Sequence, residues 1–461
     1  MRKSGIYCIG AALIFTGCSR ISTNPMPVFN EVQTSISHRT GQVIVWDKGE
    51  EGCREFKNWL KSSLEKDLTV EKAVQIALLN NQHLKGTYEN LGIAQAQLVQ
   101  AGLLKNPIFS LSLRCENLVN SASILEMGLV QNFLDILLKP QKKRLACAEL
   151  AIVKSEVSAR VLDVIAEAKI AYHSLQSAEQ VLMMRKQVLE TTEAAYDVAN
   201  RLHEAGNITN LDLVVERSNY EQMKIDVSDA EVSLFEARER LNIVMGLWGS
   251  NIDWKISQQV SPIPDEQMDF DCIESYVIAN SLDLQMSRER MRATALSLGI
   301  ETTEIIFPEL TFGPDSERDP GGPWFIGPQF SIGIPIFDIG VAKKAAGCAE
   351  LSKQWNEYTA LAIEIRSASR VASFRLLNAL KQYQYFQSII IPLEEQITKE
   401  TLHQLNAMQL GVFDLLLVKQ KEIETRLKSI FSYRDYWIAR TEVEMLMSGR
   451  MIHKMDMVNG K

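Results

Sequence analysis

Two acidic residues occupy matching places in the chain. Asp212 and Asp414 each follow a short glycine-containing turn, in Ala205-Gly206-Asn207…Leu211-Asp212-Leu213 and in Leu410-Gly411-Val412-Phe413-Asp414-Leu415. A carboxylate at the start of a helix is favoured by the helix dipole, which is a structural role. If three copies of the chain surrounded an axis, their Asp414 side chains would instead form a ring of negative charge that binds cations. The sequence leaves both interpretations open.

The metal-ligating residues show no spacing that indicates a site. The six histidines are scattered, at His38, His83, His173, His203, His403 and His453. The cysteines that follow the N-terminal region lack a Cys-x-x-Cys pair, which indicates neither a disulfide framework nor a zinc site; they are Cys53, Cys115, Cys147, Cys272 and Cys348. We expect Cys147 and Cys348 to be small buried residues.

Motifs for catalysis are also missing from the sequence. It contains no glycine-rich phosphate loop, no Gly-x-Ser-x-Gly nucleophile and no paired-carboxylate motif. We therefore predict that the protein is not an enzyme and has no cofactor. The net charge of −8 argues against nucleic acid as a partner.

An internal repeat organises the chain. Leu129–Asp135 is followed closely by Cys147–Leu150, and about two hundred residues later the similar segment Ile332–Asp338 is followed by Cys348–Leu351; the two turns described above form a second matching pair. Such a repeat predicts two halves with the same order of elements. Each half is expected to contain a helix, two short strands, a very long helix, a glycine turn and a returning helix.

The first half shows each of these patterns. Thr69 is expected to cap a helix that runs to Lys105 and stops before Pro107. Strands are predicted near residues 109–114 and 125–133, where apolar side chains alternate with polar ones. Pro140 should then open a helix of residues 141–202, about 90 Å long at 1.5 Å per residue. Residues 24–66 lack periodicity and are expected to be extended.

The second half repeats the plan. A helix is predicted over residues 272–305, followed by a strand near Leu310, a loop over residues 315–323 and a strand over residues 324–336. A helix of residues 342–410 then contains Pro392, which should kink it. We expect the two glycines that end the long helices, Gly206 and Gly411, to adopt the left-handed conformation of a helix C-cap.

The N-terminus has the features of an export signal. Arg2 and Lys3 precede the short apolar run Ile6–Phe15, which is too short to span a bilayer. Phe15-Thr16-Gly17-Cys18 is similar to a bacterial lipoprotein cleavage box, with Phe15 where leucine is usual. We predict a signal peptide over residues 1–17 and a lipid on Cys18.

The four strands have the length and pattern of membrane-spanning strands. Each is apolar on one face, and strands of this length cross a bilayer when tilted. Four strands cannot close on themselves, and an open edge in lipid leaves backbone groups unpaired. Two copies would supply eight strands and three would supply twelve, enough for a water-filled lumen. The alternative is a soluble sheet that packs under the helices.

Several segments resemble the TolC-type outer-membrane efflux channel family. The matches are Leu68–Val74, Asn80-Asn81, Ala101–Pro107, the turns with their Asp-Leu pairs, and Gly327–Asp338, the most specific of them. Ala101–Pro107 resembles the heavy-metal-efflux branch of the family more than the multidrug branch. The chain departs from the family where Gln131-Asn132 replaces the usual Gln-Pro at a strand end.

The resemblance implies an α+β membrane protein with four strands and long antiparallel coiled-coil helices per chain. It further implies a homotrimer that forms a 12-stranded β-barrel on a 12-helix α-barrel. Its partners would be a periplasmic adaptor, an inner-membrane pump and outer-membrane lipid. The tips Gly206, Asn207, Gly411, Val412 and Phe413 would dock the adaptor, and Asp414 and Asp212 are candidates for the gate.

The chain is accordingly expected to be a passive efflux duct in the outer membrane of a Gram-negative bacterium. The predicted segments are a signal peptide (1–17), an N-terminal segment (18–67), a first efflux repeat (68–248), a linker (249–270), a second repeat (271–447) and a C-terminal tail (448–461). The alternative function is a lipid-anchored periplasmic coiled-coil scaffold without a pore.

The lipid anchor is directly testable. The mature protein should begin at Cys18 and carry acyl chains, because the apolar run places the cleavage box at the signal-peptidase site. Mass spectrometry of the mature N-terminus measures this, with Cys18→Ala as the control that lacks the acyl mass. A mature N-terminus without acyl groups would contradict the prediction.

Overall fold

A computed structural model describes residues 23–46, 50–115, 123–257, 261–264, 270–319 and 321–451. The predicted signal peptide with Cys18, and His453 in the tail, lie outside these ranges. Among the helices within them, none is both long enough and apolar enough to cross a membrane.

The two sequence repeats have the same order of elements. Helices α1 to α4 span Met26–Thr40, Glu50–Leu64, Val70–Asn80 and Gln82–Ala101. Strands β1 (Ile108–Cys115) and β2 (Ser123–Asn132) precede helices α5 (Phe133–Glu204) and α6 (Asn210–Met245). The second repeat contains α7 (Ile273–Asn280), α8 (Leu282–Ile306), β3 (Leu310–Arg318) and β4 (Trp324–Ile332). It continues with α9 (Val341–Tyr385), a π-helical turn (Phe386–Ile390), α10 (Ile391–Asn406) and α11 (Val412–Met447).

The chain forms two compact units, and each takes segments from both repeats. The first contains the described residues up to Val32 together with Thr87–Val157 and Leu284–Leu361, and therefore the whole sheet. The second contains Gln33–Gly86, Ser158–Asp283 and the described residues from Ala362 onward, and therefore both hairpin tips.

The N-terminal segment is helical, not extended as expected. Helices α1 and α2 replace the extended chain, and in the second unit Ile36 and Ile44 are fully buried. The Gln33 side chain donates to the Ile44 carbonyl at 3.0 Å. Burial of each such side chain stabilises the fold by about 1.5–3 kcal/mol. This contribution comes from tertiary contacts, which the local sequence does not reveal.

The helix that Thr69 caps is interrupted, contrary to the single helix expected. Thr69 does cap α3, since its side chain accepts from the Lys72 N–H. Asn81 then leaves the helical conformation: its side chain accepts from the Leu84 N–H at 3.0 Å and donates to the Val244 carbonyl at 2.9 Å. Ser281 interrupts the second repeat between α7 and α8 with nearly the same backbone conformation, φ −63° and ψ 118° compared with −60° and 117° at Asn81. The break is thus a repeated feature.

The four strands form one antiparallel sheet in the order β1-β2-β3-β4. The pairs Leu111↔Met127 and Phe312↔Phe330 lie on one face of it. This face is apolar and mostly exposed in the single chain; it includes Phe109, Leu111, Leu113, Leu129, Phe312, Trp324, Ile326, Phe330 and Ile332. The one-sided apolar pattern predicted for the strands is therefore confirmed by their register.

The opposite face of the sheet is largely polar. It carries Ser110, Ser112, Arg114, Glu126, Asp315, Glu317, Gln329 and Ser331. Arg114 and Glu126 form an ion pair of 3.1 Å across β1 and β2. One sheet thus separates an apolar surface from a charged one.

Strand β3 extends into the predicted loop. Asp315 to Arg318 continue the strand because they pair on both sides, with Asp315 opposite both Gly128 and Gly327. The two glycines leave space beside the Asp315 side chain. Pairing with two neighbouring strands outweighs the low strand propensity of aspartate and proline.

Helix α5 begins at Phe133, not after Pro140. The Asn132 side chain accepts from the Asp135 N–H at 3.3 Å and so caps the helix directly after β2. Leu134 and Leu138 are buried against Ile300. Their burial contributes about 1.5–3 kcal/mol each, which offsets the roughly 3 kcal/mol that a proline costs inside a helix. The 72-residue helix is about 108 Å long.

The long helix of the second repeat contains the expected irregularity. It consists of α9 and α10, and the π-helical turn Phe386–Ile390 lies immediately before Pro392. Proline has no N–H to donate to the preceding turn, so a widened turn accommodates it. Helix α10 ends at Asn406, which is earlier than the predicted Leu410.

The two matching cysteines are not buried as expected. Cys147 and Cys348 are both exposed free thiols, whereas Ala146 and Ala148 on either side of Cys147 are buried. The repeat therefore aligned these positions correctly, but their helix faces point away from the packing within one chain.

A carboxylate cluster fixes the junction between β2 and α5. Asp135 is buried and pairs with Lys142 at 2.9 Å and with Lys105 at 3.1 Å, and Lys142 also pairs with Glu304 at 3.0 Å. Burial by itself would raise the pKa of Asp135, but the hydrogen bonds from the two lysines outweigh it and hold the pKa below its usual range. The cluster connects the start of α5 to α8 and to the segment before β1.

Asp135→Ala should lower the melting temperature in detergent at neutral pH. It should reduce the free energy of unfolding by about 1.5–3 kcal/mol, because hydrogen bonds to charged groups are lost. The folded-state pKa is depressed, so this contribution is present above the unfolded-state pKa and lost as pH falls through the folded-state pKa. Melting followed by circular dichroism should show the difference from wild type shrinking in acid. Glu304→Ala, which removes a half-exposed partner, is the milder control. An equal effect of both substitutions at every pH would contradict the assignment.

Candidate functional site: the two hairpin tips

The first tip joins α5 to α6. Gly206 has a φ of 76°, its N–H donates to the His203 carbonyl at 2.9 Å, and the Asn207 N–H donates to the Leu202 carbonyl at 2.8 Å. This is a helix C-cap in the left-handed conformation, as expected for Gly206. Thr209 then caps α6.

The second tip joins α10 to α11 with the same bonds but other residues. Met408 has a φ of 60°, its N–H donates to the Leu405 carbonyl at 2.9 Å, and the Gln409 N–H donates to the Gln404 carbonyl at 2.9 Å. Gly411 has a φ of −84° and a ψ of 165° and is the N-cap residue of α11.

The C-cap conformation expected for Gly411 is therefore wrong. Met408 takes the position of Gly206, and Gly411 takes that of Thr209. A residue other than glycine in the left-handed region costs about 1–2 kcal/mol. For this reason the sequence pointed to the glycine instead. Aligning the two turns on their shared Asp-Leu pair, not on their glycines, would have located Met408.

Asp212 and Asp414 have equivalent structural roles. The Asp212 carboxylate accepts from the Thr209 N–H at 3.0 Å and from the Thr209 hydroxyl at 2.7 Å, and Asp414 accepts from the Gly411 N–H at 2.9 Å. The hydroxyl and the backbone N–H of Thr209 lower the pKa of Asp212. Both carboxylates are exposed, so each caps its helix and also places a negative charge at the surface of its tip.

The predicted tip residues differ in exposure. Gly206, Asn207, Gly411 and Val412 are exposed, whereas Phe413 is half-buried. The large apolar side chains that protrude most are Met408, 94% exposed, and Leu211, 71% exposed. Neither residue was predicted as a tip residue from the sequence, although Leu211 occupies the place of Phe413 in the first turn.

A buried charge network stabilises the second hairpin behind its tip. Glu422 is buried on α11 and accepts from Thr398 at 2.8 Å, Lys419 at 2.9 Å and Arg426 at 3.3 Å. Burial opposes ionisation, but the hydrogen bonds from Lys419 and Thr398 leave the pKa of Glu422 lowered. Arg426 also binds Glu395 on α10. This network holds α10 against α11, and no sequence pattern indicated it.

The first hairpin combines aromatic and apolar packing with ion pairs between its helices, such as the half-buried pair of Arg185 and Asp226 at 3.2 Å. Tyr196 on α5 stacks on Tyr220 on α6, with ring centroids 5.8 Å apart. Val188 and Met223 pack together with Ile423 from the second hairpin. The two tips therefore lie on differently stabilised supports within one compact unit.

The histidines contribute no ligand cluster. His173 is buried and stacks on Trp437 at 4.8 Å between centroids, and burial lowers its pKa to about 4. At His203, Nδ1 lies 3.3 Å from the Ile208 carbonyl oxygen. Within the described ranges, no group of three or more His, Cys, Asp or Glu residues could hold a metal ion.

The chain is similar to proteins whose names refer to metal resistance and to an efflux pump of the outer membrane. The cobalt-zinc-cadmium resistance protein CzcC of Cupriavidus metallidurans is 20% identical over 398 residues, which cover 82% of this chain and 90% of that protein. The probable efflux pump outer membrane protein TtgC of Pseudomonas putida is 20% identical over 385 residues, 77% of this chain and 76% of that one. No protein-family model matches the chain.

Solved structures of outer-membrane channels have the same fold. The CmeC channel of Campylobacter jejuni matches with a TM-score of 0.71 and 19% identity, over 86% of this chain and 88% of that one. CusC matches with a TM-score of 0.66 and 17% identity, over 83% and 92%. VceC of Vibrio cholerae matches with a TM-score of 0.68 and 13% identity, over 86% and 99%. The resemblance to TolC-type channels is thereby confirmed.

The two tips should respond oppositely to matched substitutions. Gly206→Ala should destabilise the first hairpin by about 1 kcal/mol, because alanine resists a positive φ. Met408→Gly should relieve the same strain and stabilise the second by up to about 1 kcal/mol. Amide hydrogen exchange of the turns measures both, and Asn207→Ala is the control. Faster exchange at the second tip in Met408→Gly would contradict the strain assigned to Met408.

Proposed function

We propose that three copies of this chain form a passive duct through the outer membrane of a Gram-negative bacterium. The duct has the fold of outer-membrane efflux channels, to which the chain is similar over most of its length. It is the outer component of a tripartite efflux system, with a periplasmic adaptor and an inner-membrane pump as partners. The pump supplies the energy, and no reaction is catalysed by the duct.

The observation that carries the proposal is the sheet with one exposed apolar face. Phe109, Leu111 and Phe330 are among the side chains that have no covering layer in the single chain. Exposed apolar surfaces of this extent mark contact with a partner or a membrane. The polar opposite face, with Glu126 and Asp315, suits a water-filled lumen.

The edges of the sheet support the oligomer. Strands β1 and β4 are the first and last of the sheet, so each has one edge without a strand partner in the part of the chain that the structure describes. In lipid, each unpaired backbone group costs several kcal/mol. Three sheets that join β4 to β1 supply 12 strands and leave no edge. The long helices would then form a 12-helix tunnel on the periplasmic side.

The tips are the proposed docking surface for the adaptor. Gly206, Asn207, Gly411, Val412 and Phe413 form the two turns, and the exposed side chains of Met408 and Leu211 add apolar area to them. Exposed turns at the ends of long helical hairpins are accessible to a partner. The lipid on Cys18 is proposed to anchor the N-terminus to the outer membrane.

The proposed gate is the ring formed by copies of Asp414, with Asp212 as the second candidate. Both side chains are exposed acids at the start of a returning helix. CzcC is named for resistance to cobalt, zinc and cadmium, and TtgC for efflux. For this chain, we propose export without assigning metal ions or organic molecules as the cargo.

The duct and the pore-free scaffold differ in a direct measurement. The mature protein in detergent should migrate as a trimer in SDS without heating, and should conduct ions in a planar bilayer. Phe330→Arg, on the apolar face, should lose both properties because a charge on the lipid face costs about 2–4 kcal/mol at the midplane. Gln329→Arg, on the polar face, is the matched control and should retain the trimer. A protein that stays monomeric and conducts no ions would favour the scaffold.

Asp414→Asn separates the gate from the helix cap. Asparagine keeps an oxygen that accepts from the Gly411 N–H but removes the charge, so a capping role predicts unchanged conductance. The gate predicts a reduced preference for cations over anions and weaker block by divalent cations. Reversal potentials in a salt gradient measure this, with Asp212→Asn in parallel. Unchanged selectivity in both variants would contradict the gate.

A further inference from the structure

The segment after β4 differs from its counterpart in the first repeat. Leu134 follows β2 in helix α5 and is buried, whereas Phe337, its match in the repeat, lies before α9 and is 100% exposed. Ile334, Ile336 and Ile339 around it are also exposed. A run of large apolar side chains without contacts marks a surface that a partner covers.

The β1–β2 and β3–β4 hairpins pair residues that correspond to each other in the sequence repeat. Pro107 and Pro308 precede the first strand of each repeat, so Phe109 corresponds to Leu310; Leu129 likewise corresponds to Ile332. In the first repeat Phe109 pairs with Leu129, and in the second Leu310 pairs with Ile332. The sequence correspondence is therefore also a structural one.

Strands β2 and β3 show how one repeat joins the next. Gln131 pairs with Phe312 and Asn132 with Thr311, although neither Gln131 nor Asn132 pairs with β1. By the repeat, Gln131 corresponds to Ile334 and Asn132 to Pro335, both just after β4, while Phe312 corresponds to Leu111 and Thr311 to Ser110. Among the described residues, Ile334 and Pro335 have no such strand partner, because β4 is the last strand of the sheet.

We infer that Gly333–Pro335 extend β4 in the assembly by pairing with β1 of a second copy, with Ile334 opposite Leu111 and Ile332 opposite Leu113 of that copy. The inference rests on the proposed trimer and specifies its seam. It keeps the apolar faces of the two sheets continuous. A register shifted by one residue would turn every side chain to the wrong face. The alternatives to the proposed register are therefore shifts by two residues.

The N–H directions agree with this pairing, whereas the Ile334 carbonyl accepts from the Ile336 N–H at 3.0 Å in the single chain and would have to exchange that bond for one to β1. The Gly333 N–H donates to the Glu309 carbonyl at 2.8 Å, toward β3. Along a strand, successive N–H groups point to alternate sides, so the N–H of Ile334 points to the free edge. Pro335, which has no N–H, falls on the β3 side and removes no donor from the seam.

The same correspondence between the repeats accounts for the exposure of Phe337. Leu134 is buried in a cluster with Leu138 and Ile300, and Leu310 packs against that cluster. Ile300 and Leu310 belong to the second repeat, so the first repeat is covered by the repeat that follows it. For Phe337 the following repeat belongs to the second copy, where Phe109 corresponds to Leu310. Phe337 is thus exposed in the single chain because the repeat that would cover it belongs to another copy.

Disulfide cross-linking tests the register. In a background with Cys53, Cys115, Cys147, Cys272 and Cys348 replaced by Ser and Cys18 retained, Ile334→Cys is combined in turn with Leu111→Cys, Phe109→Cys or Leu113→Cys. Directly opposite Cβ atoms lie about 4.5–5.5 Å apart and diagonal ones about 7–8 Å, whereas a disulfide needs about 3.5–4.5 Å. A bond within one chain is excluded, since β1 and β4 are separated by two strands, roughly 14 Å in all.

Oxidation of the Ile334→Cys, Leu111→Cys pair should link chains at least tenfold faster than either shifted pair, on non-reducing gels after boiling. The single variant Ile334→Cys, checked for the SDS-resistant trimer, confirms assembly. Faster linkage of a shifted pair, or trimers that none of the three pairs links, would overturn the register and leave the duct intact. Absence of the trimer in the unsubstituted protein would overturn the duct itself.

Discussion

The need to pair every backbone N–H and C=O group in a membrane is the constraint on which the rest of the structure depends. One chain supplies four strands, with an apolar face on one side and Arg114, Glu126 and Asp315 on the other. Within the chain the ladders end at β1 and β4. The apolar face favours lipid, but lipid does not tolerate those two edges. In the proposed duct, other copies of the chain resolve this conflict, so oligomerisation would be a consequence of the sheet.

The helices continue the repeated arrangement that begins in the sheet. Asn132 caps α5 directly after β2, and Asp135 binds Lys142 and Lys105, so the strand and the helix are joined without a flexible linker. At the tips, Asp212 and Asp414 cap the returning helices in the same way. Capping and gating are compatible roles for such an acidic side chain, because the carboxylate that accepts the N–H keeps its negative charge toward solvent.

Periodicity predicted the parts of the fold that depend on local pattern. The alternation at Phe109, Leu111 and Leu113 gave the apolar face, and Thr69 gave a helix start. The errors occurred where distant contacts decide. Asn81 leaves the helix because it bonds to Val244, and Asp315 stays in a strand because β2 and β4 pair with it. Met408 in the left-handed region violates the usual preference for glycine, so the sequence pointed to Gly411 instead. At the tips, the position of the two aspartates at the helix starts was predicted, while Met408, Leu211 and the Glu422 network were not.

The most direct measurement is a cryo-electron-microscopy map of the mature protein in a lipid nanodisc. The account predicts a three-fold particle in which the strands cross the disc and β4 of each copy lies beside β1 of the next. The apolar face, with Phe109 and Phe330, should face the lipid. A monomeric or two-fold particle, or strands that lie outside the disc, would contradict it.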